Sequence, residues 1–262
     1  VNRIDSRFAE LAERGEKALI CFLVSGDPNF ATTEKLVTEV SRSGADIVEL
    51  GIPFSDPLAD GPSIQAASYR AINNGATVKG VLDNVRSIRL NCQTPIVLMT
   101  YYNPVHHYGL KRFAHEAAEA GADGVIITDL PPEESTDWKN AADAAGLATI
   151  FLLAPTSTKE RIRRASNMAS GFIYCVSRTG VTGARNDVPN DLRDLVKEIK
   201  SESGLPVVVG FGISKAEHVR QVNEFADGAV VGSALVNLVT ENITSCDLVE
   251  KAGTFVRELK LA

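Results

Sequence analysis

The sequence predicts an α/β fold, a closed (β/α)8 barrel forming a single domain over residues 1–262. Three observations lead there. Eight short apolar runs recur along the chain, rich in Ile, Val and Leu with little polar alternation, as strands covered on both faces should be. Helix-like stretches separate them, with no strand left over to favour an open doubly wound sheet. The length of 262 residues is close to the roughly 250 that such a TIM barrel takes, and no linker or low-complexity tract marks a boundary.

The runs span residues 18–24, 46–50, 95–100, 124–128, 147–153, 171–176, 206–210 and 228–231. Ahead of the first, 3–13 reads as an extra N-terminal amphipathic helix able to plug the barrel floor. Thr32-Thr33-Glu34 and Pro132-Glu133-Glu134 read as helix starts, because acidic side chains suit the positive end of the helix dipole. The long insertion after the second strand, 51–94, holds a loop and two helical segments, 63–73 and 78–90. Long insertions on a barrel are usually functional. Segments 113–120 and 191–201 are typical of the remaining helices. One phrase recurs as Gly44-Ala45-Asp46, Gly121-Ala122-Asp123 and Ala226-Asp227-Gly228, marking a helix that ends on a small residue and feeds directly into a strand.

Composition narrows the function classes. The chain is 44% hydrophobic and 23% charged, which excludes wholesale disorder. Lys plus Arg is 27 against 33 Asp plus Glu, a net charge of −6, so the basic face that a nucleic-acid partner needs is missing. No apolar stretch approaches ~18 residues, so no membrane span is expected, and the charged opening residues are not a secretory signal. Cys21, Cys92, Cys175 and Cys246 form no CxxC pair. A chain with a core this large has no need of a disulfide framework, so a cytoplasmic location is expected.

In a parallel barrel the reactive groups belong at the C-terminal ends of the strands and in the loops that follow. Glu49 ends the second strand and shares a face with Ile47. If that face points inward, the carboxylate stands partly desolvated at the mouth with the raised pKa of a proton shuttle; otherwise it is a solvated residue at a frayed strand end. Gly51-Ile52-Pro53-Phe54-Ser55-Asp56-Pro57-Leu58-Ala59-Asp60-Gly61-Pro62 follows. Its prolines stiffen a loop that can hold Asp56 or Asp60 over the mouth, although Asp before Pro or Gly is also ordinary turn chemistry. Gly210-Phe211-Gly212-Ile213-Ser214 and Gly232-Ser233 lie after the seventh and eighth strands, where barrels cradle phosphate on backbone amides at helix N-termini.

Ser177-Arg178-Thr179-Gly180-Val181-Thr182-Gly183-Ala184-Arg185 suits a lid closing over substrate, or a plain surface loop. No lysine falls within a strand run, which argues against Schiff-base chemistry. His106-His107 reads as a solvated loop pair, so no metal site is visible. Phe22, Met99, Ile126, Leu152, Tyr174 and Phe211 supply apolar positions near strand ends. Together these features imply a phosphorylated substrate with an apolar body, turned over by acid–base chemistry.

Residues 49–62 resemble the signature of the tryptophan synthase α-subunit family. Ser25-Gly26-Asp27-Pro28, Thr100-Tyr101-Tyr102-Asn103-Pro104, Asp129-Leu130-Pro131, residues 179–185 and 210–214 match in the same order. The resemblance implies a lyase that cleaves indole-3-glycerol phosphate to indole and glyceraldehyde 3-phosphate by a retro-aldol reaction. By motif position, Glu49 would be the proton shuttle and Asp60 would stabilise the positive charge developing on the indole nitrogen. Phosphate would rest on amides of Gly183, Gly212, Gly232 and Ser233. Tyr174 would lie beside Glu49, Phe22, Met99 and Phe211 would enclose the indole, and Thr182 would close the lid toward Asp60.

The family uses no cofactor in this chain. Its partner is a pyridoxal-phosphate β subunit in an αββα assembly, which would meet the Asp56 loop and the segment around Asn103-Pro104. Cys21 stands where the family usually has proline, and Val24-Ser25 replaces a commoner Thr-Ala; both changes bear on packing. Two other readings are a sugar-phosphate isomerase, which has no need of the proline-rich carboxylate loop, and a regulatory partner subunit, which would tolerate loss of either carboxylate.

Overall fold

The computed structural model describes residues 2–176, 190–210 and 212–261. All strand pairs among them are parallel. The strands are β1 (Ala18–Val24), β2 (Ile47–Gly51), β3 (Ile96–Thr100), β4 (Gly124–Ile127), β5 (Ala148–Ile150), β6 (Leu152–Leu153), β7 (Ile173–Val176), β8 (Val207–Gly210) and β9 (Gly228–Val231). Their order in the sheet is β5-β4-β3-β2-β1-β9-β8-β7-β6. Only Phe151 separates β5 from β6, so the two ends of that order are halves of one strand. Its first half pairs with β4 and its second with β7, and the Tyr174 amide donates to the Phe151 carbonyl at 3.1 Å. The ring is therefore an eight-strand barrel in agreement with the eight apolar runs, with the fifth strand handed from one neighbour to the other midway.

Alternation along the strands builds two layers. Ala18 and Ile20 of β1, Ile47, Val97, Ile126, Ile150, Tyr174, Val208 and Val230 pack into one interior cluster. The intervening residues, Cys21 and Val48 among them, face outward onto the helices. Cys21 pairs in register with Val48, so the departure from proline falls on the helix-facing side of β1.

The N-terminal helix α1 (Arg3–Glu13) is capped by the Asn2 side chain, which accepts from the Ile4 amide. It sends Ile4, Phe8 and Leu11 into the interior cluster, with the Phe8 ring 5.9 Å from Phe172. The N-terminal end of the barrel is thereby closed with apolar side chains.

The other helices are α2 (Phe30–Arg42), α3 (Pro62–Asn73), α4 (Val78–Arg89), α5 (Tyr102–Tyr108), α6 (Leu110–Ala120), α7 (Thr136–Ala144), α8 (Lys159–Met168), α9 (Asn190–Glu202), α10 (Ala216–Asn223), α11 (Ser233–Glu241) and α12 (Leu248–Lys260). The insertion after β2 holds α3 and α4, as expected. Three local expectations are corrected. α2 begins at Phe30 under an Asn29 cap, because that side chain accepts from the Thr32 amide, so Glu34 falls beyond the first turn. Residues Pro132–Glu134 form a 3-10 turn ahead of α7 rather than its first turn. His106 and His107 are exposed, but on α5 rather than in a loop.

The recurring aspartates have a role that local pattern did not reveal. The Asp46, Asp123 and Asp227 carboxylates accept the amides of Leu19, Ile96 and Val207 at 2.7, 2.8 and 3.0 Å. Their own amides donate back to the carbonyls of the same three residues. Each thus clasps the neighbouring strand where it enters the barrel. Basic side chains close over them: Arg7 and Lys260 on Asp46, Arg3 and Arg89 on Asp123, Lys17 and Lys200 on Asp227.

Candidate active site

Glu49 faces inward. Its register partners are Phe22 on β1 and Val97 on β3, it is 1% exposed, and its Oε1 has no hydrogen-bond partner. Burial pushes its carboxyl up from the usual 4.5 to about 8, because a charged form stripped of water has nothing to replace it. The frayed-end alternative is excluded by this placement.

Two glycines make room for aromatic rings at the same end of the barrel. A Cβ on Gly51 would lie 2.8 Å from the Phe22 ring, and one on Gly210 would lie 2.5 Å from the Tyr174 hydroxyl oxygen. The bareness of Gly210 makes room for the Tyr174 ring. Phe22 is buried with Val24, Ala67, Ala71 and Val236, and half-buried Met99 bridges this group to the barrel interior. The Tyr174 hydroxyl is raised above its ordinary pKa first by burial and then by interaction with the acidic groups of Glu49, Cys175 and Asp60. Both candidate carboxylates therefore project their field onto one phenol. Ile126 is buried in the interior cluster and Leu152 packs at its edge.

Asp60 lies just before Gly61, the N-cap of α3. Its amide donates to the Pro57 carbonyl at 3.0 Å, and its own carbonyl accepts from Gln65 at 2.8 Å. Burial raises its carboxyl from 3.8 to about 6, against the opposing pull of a Tyr101 hydrogen bond. Asp56, the other candidate in this loop, is exposed.

Gly212 adopts φ +85°, where a side chain is strained. It does not open a helix directly: α10 starts at Ala216, and the Ser214 amide donates to His218 Nδ1 at 3.3 Å. Gly232 is the N-cap of α11 with no side-chain cap, and Ser233 is exposed as its first residue. The first amides of a helix have no acceptor within it. Thr182, Gly183 and Phe211, and the rest of 177–189, lie outside the described residues. Among the described residues no group of three His, Cys, Asp or Glu is placed to hold a metal ion.

Tyr101 was quoted only as part of a motif, yet its hydroxyl donates to Asp60 Oδ2 at 3.0 Å. Its two partners in that loop lie 41 and 42 positions back in the chain, so no local spacing points to it.

A closed parallel barrel bearing two desolvated carboxylates at its C-terminal end, beside an apolar aromatic lining, defines a (β/α)8-barrel enzyme of the acid–base type. The family model described as tryptophan synthase alpha chain matches residues 8–261, and the chain belongs to that family. It is 53% identical over 260 residues to the tryptophan synthase alpha chain of Geobacter sp. (strain M21), covering 99% of this chain and 97% of the relative. The crystal structure of tryptophan synthase subunit alpha from Legionella pneumophila str. Paris superposes with a TM-score of 0.93 at 39% identity, covering 100% of this chain and 98% of that one. A chain of the tryptophan synthase complex from Pyrococcus furiosus does so with a TM-score of 0.86 at 38% identity, covering 94% and 98%.

Proposed function

We propose that Glu49 is the proton shuttle and Asp60 the charge stabiliser of the reaction this family catalyses. The chain is a lyase of tryptophan biosynthesis, cleaving indole-3-glycerol phosphate to indole and glyceraldehyde 3-phosphate. With its carboxyl raised to about 8, Glu49 is protonated near neutrality and donates to indole C3. Positive charge then develops at the ring nitrogen, where ionised Asp60 stabilises it. The bond from C3 to the glycerol chain breaks and its electron pair returns to the ring. The glycerol hydroxyl gives its proton to Glu49 as the aldehyde forms, so the shuttle ends as it began.

Phe22, Met99 and Tyr174 would enclose the indole, with Phe211 assigned by motif. Amides at Gly212, Gly232 and Ser233 would hold the phosphate at the N-terminal end of α11. Gly183 and Thr182 join this scheme through the family motif alone. The chain itself needs no cofactor; pyridoxal phosphate belongs to the β subunit, with which it forms a heterotetramer. No helix among the described residues is long and apolar enough to cross a membrane. Work in the cytoplasm is supported by four free cysteines, three of them buried.

The observation that carries the assignment is the buried, unpartnered carboxylate of Glu49 inside the ring. Glu49→Gln removes the transferable proton but little volume. Indole release by the purified variant should fall at least ~10²–10⁴-fold while substrate still binds; near-normal turnover would refute the role.

A further inference from the structure

We propose that Tyr101 is a positioning residue for this reaction: its hydroxyl fixes the loop that carries Asp60 and holds one oxygen of that carboxylate, leaving the other for the substrate. The inference rests on the role assigned to Asp60. Among the described residues, the two hydrogen bonds that tie residues 53–61 to the barrel both involve the Tyr101 hydroxyl. The remaining bonds of the segment stay within it or reach Gln65 of the following helix.

The direction of each bond is forced. The Ala59 amide can only donate, and it reaches the phenol oxygen at 3.0 Å. The phenol's single proton is therefore free for Asp60 Oδ2, also at 3.0 Å. Oδ1 receives no hydrogen bond from a described residue, and it is the oxygen left to face a developing positive charge. The arrangement favours the ionised carboxylate, since a donor to the charged form stabilises it.

Tyr101 is itself firmly seated. It is 5% exposed at the end of β3, its ring lies 5.3 Å from that of Phe54, and the next amide, Tyr102, donates to Asp129 at 2.7 Å. Among the described residues, Glu49 on β2, Tyr174 on β7, Asp56 in the same loop, Asp129 at the Tyr102 amide and the Asp27–Arg70 pair also place ionisable groups at this end of the barrel. The shift at Asp60 comes from burial and Tyr101, not from these.

The test is the pH dependence of kcat/KM for indole release by wild type, Tyr101→Phe and Asp60→Asn. Tyr101→Phe keeps the ring and its stacking but removes the donor. Its acid limb should lie about one pH unit above that of the wild type. At pH 7 that shift alone should lower kcat about twofold, with a smaller change in KM. An NMR titration of the Asp60 carboxyl carbon reads the same shift if turnover is too slow to follow. A Tyr101→Phe enzyme with an unmoved acid limb, whether fully active or merely less stable, overturns the inference. If Asp60→Asn itself keeps the wild-type limb and rate, the reading of Asp60 fails instead.

Discussion

Burying a carboxylate with no partner works against folding, and Glu49 shows how much. Its carboxyl titrates near 4.5 when exposed and near 8 in the folded barrel. Between those values the folded state binds more protons than the unfolded one, so this group's contribution falls as pH rises through that window. Glu49→Gln does not titrate. Its stability relative to wild type should therefore improve by about 3 kcal/mol between pH 5 and pH 8. Urea unfolding of both proteins at the two pH values measures this, and a constant difference would mean the carboxylate is solvated. Glu49 was legible in the sequence because strand alternation couples it to Ile47. Asp60 was legible through the proline-rich signature. Tyr101 was not, since the fold alone brings β3's end against a loop some forty positions earlier.

Among the elements, the strands could be read from apolar runs because each is covered on both faces. Two features stayed hidden. The run 147–153 is continuous in sequence, so nothing in it announces that Phe151 passes the strand from β4 to β7. The recurring Gly-Ala-Asp phrase was visible, but its purpose depends on an adjacent strand entering 20 to 27 residues earlier in the chain. Asp123 holds the Ile96 amide, Arg3 and Arg89, whose side chain is only 10% exposed. Asp123→Ala leaves the Arg89 charge without its counter-ion and the Ile96 amide without its acceptor, at a loss of about 3 kcal/mol. Denaturant unfolding should show that loss while kcat of the folded fraction stays near wild type, because the clasp sits at the end of the barrel opposite Glu49. A variant as stable as wild type would assign the clasp no structural weight.

For the whole molecule, barrel closure and length were foreseeable together, whereas the partner-facing surface needed the family signature. Leu58 stands 84% exposed two residues before Asp60, on the loop expected to meet the β subunit. Leu58→Asp should leave the isolated barrel folded and weaken assembly with the β subunit at least tenfold, which is ~1.4 kcal/mol. Analytical ultracentrifugation of mixtures reads this out; undiminished affinity would put the contact elsewhere on the chain.

The helix that precedes the first strand has a bearing on traffic. With Ile4, Phe8 and Leu11 seated beneath the strands, the described residues stopper the barrel at its floor. An aromatic fragment freed beside Glu49 is thereby kept from the floor and left to the end of the barrel where Asp60 and its loop stand.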